Sequence, residues 1–86
     1  MQSTHPHPPT EVEQHVLDIV TEAIPKLEHG IDYTSAAIFP ADMWASLTDG
    51  GHRSIGMALS RLVDQRRVSF EKSSPPYKMP VTYRRL

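Results

Sequence analysis

Residues 52–68 carry apolar side chains at the spacing of an amphipathic α-helix. Five of them fall at i, i+3, i+4, i+7 and i+8, and so form one stripe: Ile55, Ala58, Leu59, Leu62 and Val63. The pattern predicts a helix over residues 52–65 that buries this stripe and presents arginine and serine on its other side. Gly56 costs about 1 kcal/mol relative to alanine inside a helix, so it predicts a close approach by another helix.

A second amphipathic segment begins after residue 9. Thr10 and Glu13 have the spacing of a capping box, and apolar residues then recur at helical spacing as far as Ile24. Pro25 lacks an amide proton and crowds the preceding turn, which predicts that the regular helix ends or bends near Ile24. Gly30 is expected at a left-handed cap position. The outer face of this helix is predicted to be acidic, with Glu13, Asp18, Glu22 and Glu28.

A shorter helix is predicted over residues 40–47, between these two. Pro40 fits its first turn, where the missing amide has no cost. Residues 48–51, Thr-Asp-Gly-Gly, are predicted to form the turn that leads into the helix at 52. The side chains expected to face the core are Met43, Trp44 and Leu47.

Strand patterns occur in three places. Residues 68–72 and 81–85 alternate apolar and polar side chains, which predicts a β-hairpin with Val68, Phe70, Val81 and Tyr83 facing inward. Three prolines in the intervening segment prevent regular pairing and predict an extended loop at the hairpin tip. Residues 31–38 are compatible with a short strand or with a further turn that starts at Ser35.

The length of 86 residues allows one small domain. Residues 1–9 contain three prolines and two histidines and are predicted to be a disordered tail, which leaves residues 10–86 as the domain. No signal peptide and no membrane span are recognised. The sequence has no cysteine, which suits a cytoplasmic protein.

The two halves of the chain carry opposite charge. Residues 1–50 contain one lysine against eight carboxylates, whereas residues 51–86 contain eight cations against two carboxylates. The net charge of −1 hides this asymmetry, which favours a cationic face directed at a polyanion. The alternative is internal pairing, in which the acidic first helix neutralises the basic half.

Candidate catalytic and metal-binding residues are few. His5 and His7 lie in the tail without a rigid frame, and the pair His15 and Asp18 fits a solvated acidic face better than a catalytic site. The turn at 48–51 lacks the Lys-Ser/Thr of a nucleotide-binding loop. We therefore expect no enzyme, no cofactor and no metal site. Trp44 fits a core residue better than a stacking platform.

The order helix, short strand, helix, turn, helix and β-hairpin resembles the winged helix-turn-helix superfamily. The resemblance covers residues 10–86 and is carried by RSIGMALSRLVDQRRVSF, which is similar to the junction of recognition helix and wing in bacterial and phage regulators. The step from Leu62 to Val68 fits that junction, whereas the glycine-rich turn and the proline-rich wing loop depart from it. The resemblance implies an α+β fold, a small winged helix-turn-helix domain of three helices plus a C-terminal β-hairpin wing.

The resemblance also implies double-stranded DNA binding, with helix 52–65 in the major groove and the 68–86 wing on the backbone. Arg53 can pair with guanine and Met57 can contact a thymine methyl, whereas Arg61 fits a phosphate. Arg66, Arg67 and Arg85 can equally satisfy a helix C-terminus. The implied DNA-binding residues are Arg53, Ser54, Met57, Ser60, Arg61, Lys72, Lys78 and Arg84.

Two functions follow as hypotheses. The first is a small bacterial or phage transcriptional regulator, cytoplasmic and without cofactor, that binds DNA alone or as a homodimer. The second is a winged-helix protein–protein interaction module without DNA binding, whose contact surface is the acidic first helix or the wing loop around Tyr77.

Overall fold

The computed structural model describes residues 10–75 and 78–86. Within them the chain forms four α-helices, a short 3₁₀ helix and one three-stranded antiparallel sheet. The α+β class is thus as predicted, but the number of helices is four where the sequence predicted three. The predicted tail and the wing-loop residue Tyr77 lie outside the described residues. The elements are α1 (Glu11–Ala23), the 3₁₀ helix (Ile24–Lys26), β1 (Asp32–Thr34), α2 (Ser35–Ile38), α3 (Ala41–Ser46), α4 (Asp49–Asp64), β2 (Phe70–Lys72) and β3 (Thr82–Arg85).

Helix α1 begins at the predicted capping box. The Thr10 hydroxyl accepts a hydrogen bond from the Glu13 amide (3.1 Å), and the Glu13 carboxylate accepts one from the Thr10 amide (3.0 Å). Two orphan amides of the first turn are thereby satisfied. The helix ends at Ala23, where Pro25 permits only a single 3₁₀ turn. Gly30 has the predicted positive φ, 76°.

The additional helix arises because the segment 31–38 contains both of the structures that its pattern allows. Strand β1 is followed directly by α2, a single turn. Phe39 then takes an extended conformation, as expected for a residue that precedes proline. Pro40 is the N-cap of α3, so α2 and α3 remain separate helices.

Helix α4 begins three residues earlier than predicted. The Thr48 hydroxyl accepts a hydrogen bond from the Gly51 amide at 3.1 Å, which makes Thr48 the N-cap and places both glycines in the first turn. The connection between α3 and α4 is therefore two residues long, Leu47 and Thr48. The predicted four-residue turn was wrong because the N-cap threonine and the acidic first turn stabilise a helix start despite the glycines.

The C-terminus of α4 is closed by backbone hydrogen bonds. The Arg67 amide donates to the Leu62 carbonyl (2.9 Å) and the Arg66 amide to the Val63 carbonyl (3.0 Å), the pattern of a Schellman motif. Arg66 accordingly has a φ of 58°. Glycine is the usual residue at this position, since it has no steric penalty there.

The sheet has the order β1-β3-β2, so β3 is central and the predicted hairpin strands pair as expected. Strand β2 contacts α4, and the buried residues of the sheet belong to the same core cluster as those of α1 and α4. Tyr83 and Phe70 contact each other edge to face, with ring centroids 6.3 Å apart. Val68, Phe70 and Tyr83 are buried, as predicted, and Val81 is half-buried. The fully buried core residues include Val16, Val20, Ala58, Leu59 and Leu62.

Gly56 does not have the predicted role. A Cβ built on it would meet no heavy atom within 4 Å from another part of the described chain. Helix α4 does pack along α1, but through the stripe of Ala58, Leu59 and Leu62, which lies on a different side of the helix. The prediction of a close helix approach at Gly56 was therefore wrong.

Candidate functional site

The N-terminal half of α4 presents three of the implied DNA-binding side chains to solvent. Arg53, Ser54 and Met57 are exposed, and Met57 retains 53% of its accessible surface. They face outward because Ile55, Ala58 and Leu59 fix the opposite side of the helix on the core. Arg53 forms no hydrogen bond or ion pair with any residue that the structure describes.

Arg61 is held by the first helix instead. Its Nε donates to the Glu13 carboxylate at 3.0 Å. Glu13 was predicted on the acidic outer face of α1, but it is buried, with 7% of its surface exposed, because the capping box and Arg61 engage both carboxylate oxygens. The Thr10 amide and the Arg61 guanidinium lower the pKa of Glu13 below its ordinary value of 4.5.

The cations of the sheet are also paired. Lys72 Nζ lies 3.0 Å from Asp64, and Arg84 Nε lies 3.0 Å from Asp32, with Glu71 at 3.7 Å from the same guanidinium. All of these side chains are substantially exposed. Exposed pairs of this kind contribute about 0–1 kcal/mol each. Three implied DNA-binding residues are thus paired internally, but only Arg61 is paired with the acidic first helix as that alternative predicted. A phosphate can replace each exposed carboxylate at little energetic cost.

The remaining implied residues have different surroundings. Ser60 is half-buried, and its hydroxyl lowers the pKa of the Tyr83 phenol, against a larger increase caused by burial. Lys78 is exposed in the loop between β2 and β3. Arg85 donates from Nε to the carbonyl of Ile24, the C-cap of α1, at 3.1 Å. This confirms its interpretation as a helix-terminating cation, although the helix is α1.

An apolar groove of about 490 Å³ opens beside the same face of α4. One wall is α4 itself, with Gly56 and Met57. The opposite wall is the β1–α2 junction together with the chain from Met79 into β3. Met79 is 77% exposed at its rim. The residues of the groove are Thr34, Ser35, Ala36, Trp44, His52, Arg53, Gly56, Met57, Ser60, Met79, Pro80, Val81 and Tyr83.

Trp44 lines this groove as part of an aromatic stack. Its ring lies 5.6 Å from Phe39 and 4.4 Å from His52, centroid to centroid. The His52 Nε2 donates to the Trp44 carbonyl at 2.7 Å, which fixes the histidine ring against the indole. Trp44 packs on the core as predicted but is only half-buried. Residues distant in sequence form the groove, and its one local signal was the glycine inside a helix.

No helix within the described residues has the length and apolar character needed to cross a membrane. Over the same residues, no cluster of three or more His, Cys, Asp or Glu side chains is arranged to hold a metal ion. Comparison of the chain with protein-family models, with curated proteins and with solved structures finds no match.

Proposed function

We propose that the protein binds double-stranded DNA as a small bacterial or phage transcriptional regulator. The observation that carries the proposal is the exposed row of Arg53, Ser54 and Met57 on the N-terminal half of α4. This helix follows α3 after two residues and is fixed to the core by its other side. The N-terminal residues of such a second helix are those that reach base edges in the major groove.

The three side chains offer complementary contacts to bases. An unpaired guanidinium such as that of Arg53 can donate two hydrogen bonds to guanine O6 and N7. The exposed thioether of Met57 can cover a thymine methyl, and the Ser54 hydroxyl can bind a base or a phosphate. None of these side chains belongs to the buried core, so all three are accessible to a DNA ligand.

The cations that are free to contact the DNA backbone differ from those that the resemblance implied. Arg66 and Lys78 are exposed cations without an ion pair among the described residues. Arg66 occupies a left-handed position that normally favours glycine, which supports a role for its charged side chain. Lys72 and Arg84 can reach phosphate only by leaving Asp64, Asp32 and Glu71.

The test is a fluorescence-anisotropy titration of a labelled random-sequence duplex at two salt concentrations. We expect affinity to fall steeply with salt because phosphate neutralisation releases counterions. A specific duplex site is then selected from the random pool with the wild-type protein. Arg53→Gln should weaken binding to that site by roughly tenfold, the effect of losing about 1–3 kcal/mol at one base contact. Lys26→Gln removes one exposed charge beyond the end of α1 and serves as the matched control. Absence of binding at low salt, or equal losses in both variants, would refute the proposal.

A second candidate is the protein-interaction module without DNA binding. The observation that favours it is the pairing of Arg61, Lys72 and Arg84 with carboxylates of the same chain. Internal neutralisation reduces the field available to attract a polyanion. Binding to a protein partner that persists in Arg53→Gln, together with no duplex binding, would support this candidate over the first.

A further inference from the structure

The groove beside α4 has the volume of a ligand site. Its volume of about 490 Å³ lies in the range of small-molecule sites, about 300–1,000 Å³. Its walls come from α4, from Trp44 of α3, from the β1–α2 junction and from the segment that enters β3. A site built from four segments holds its shape better than a single exposed face.

Gly56 lines the groove and leaves space there that a side chain could fill. It lies in the interior of α4, where glycine is less favourable than alanine by about 1 kcal/mol. It does not have a positive φ, and no other described segment approaches within 4 Å of where its Cβ would lie. Neither backbone conformation nor packing therefore requires glycine here. A residue that is unfavourable for its secondary structure, and that neither packing nor backbone conformation requires, points to a functional site.

The charged side chain of the described groove lining is a cation. Arg53 lies on its rim and has no partner among the described residues, and no Asp or Glu contributes to the described lining. The apolar interior is formed by Trp44, Met57, Val81 and neighbouring side chains. An apolar ligand with one negative charge would bury its body in the interior and pair its anion with Arg53.

We propose that this groove binds a small amphipathic anion, with a medium-length aliphatic or aromatic body and one carboxylate or sulfonate. The body packs between Trp44 and Met57 over Gly56, and the anion accepts hydrogen bonds from the Arg53 guanidinium. A small molecule fits better than a macromolecular partner, because a stable protein interface buries about 800 Å² per side and the groove is confined to one side of α4. The ligand would contact Arg53 and Met57, which the proposed DNA interface also uses, but the inference does not require that the protein bind DNA.

The test uses Trp44, the only tryptophan of the chain, as a fluorescence reporter in the full-length protein. Decanoate is titrated below its critical micelle concentration, and decanol is the uncharged control with the same chain length. We expect a saturable change of Trp44 fluorescence with decanoate, and at least tenfold weaker binding of decanol. Arg53→Gln should weaken decanoate binding by a similar factor and leave decanol unaffected, whereas Lys26→Gln should change neither.

A groove-filling variant provides an independent arm. Gly56→Leu places an isobutyl group in the open space, so decanoate binding should be lost while the melting temperature stays at or above that of the wild type. If Gly56→Leu does not fold, Gly56→Ala should still reduce the affinity severalfold. The inference is overturned by a linear, non-saturable response to decanoate, by equal binding of decanoate and decanol, or by unchanged affinity in the folded Gly56 variants. Those results do not bear on duplex binding, which is measured separately.

Discussion

Replacement of Gly56 by alanine should stabilise the protein. Gly56 is the eighth of the sixteen residues of α4, so it is remote from both helix ends. The added methyl group would project into the groove, where no other described segment lies within 4 Å. Steric cost is therefore absent, and the helix-propensity difference between glycine and alanine remains as the main effect.

The expected gain follows from these quantities. Alanine is more favourable than glycine in a helix interior by about 0.8–1.0 kcal/mol. For a domain of this size, 1 kcal/mol corresponds to a rise in melting temperature of about 4–8 °C. Thermal unfolding followed by circular dichroism at 222 nm would measure the change, and urea unfolding would give the free energy independently.

Two other glycines provide matched controls with different expected outcomes. A Cβ on Gly51 would lie 3.3 Å from Leu47 Cβ and Cδ2, so Gly51→Ala should gain less than Gly56→Ala. Gly30 has a φ of 76°, and alanine there is strained by about 1–2 kcal/mol, so Gly30→Ala should destabilise. A lower melting temperature for Gly56→Ala would refute the reasoning. It would mean that the fold needs glycine at this position and that the groove has a structural origin.

Two further predictions concern pH. The folded state lowers the pKa of Glu13, so its ionised form stabilises the fold above about pH 4.5, and this contribution is lost as pH falls below that value. Glu13→Gln should flatten the acid limb of a urea-unfolding series measured from pH 3 to 7, and an unchanged limb would contradict the Glu13–Arg61 argument. Burial raises the pKa of Tyr83 above 10.0, so the fold should lose stability as pH rises through 10. Tyr83→Phe should remove that alkaline decline, and an identical decline in both proteins would count against it.

Fewer cations of residues 51–86 are free to contact an external anion than the composition suggests. Eight of the nine cations lie after residue 50, yet Arg61, Lys72 and Arg84 each meet a carboxylate of the same domain. Carboxylates distant in sequence supply two of these contacts, Glu13 to Arg61 and Asp32 to Arg84. A count of charges along the chain shows an asymmetry but does not show how much of it faces solvent.

The features that the sequence predicted correctly depend on near neighbours. The capping box of α1 requires only Thr10 and Glu13, three residues apart. The buried stripe of α4 follows from helical periodicity, and all five of its predicted residues are buried. The hairpin follows from alternation on either side of a proline-containing segment. In each case the physical determinant lies within one helix or one hairpin, so a linear pattern contains it.

The features that the sequence did not reveal depend on residues brought together by folding. Glu13 looked like a solvated acid on α1 and became a buried partner of Arg61, which lies 48 positions later. The sequence suggested a helix contact at Gly56, but this residue lines an open groove whose other lining residues include members of β1, α3 and β3. Local spacing fixes which side of a helix is apolar. Tertiary packing decides whether another segment covers the other side of the helix or leaves it open. The outcome at α4 depends on the positions of three elements that are distant in sequence, β1, α3 and β3.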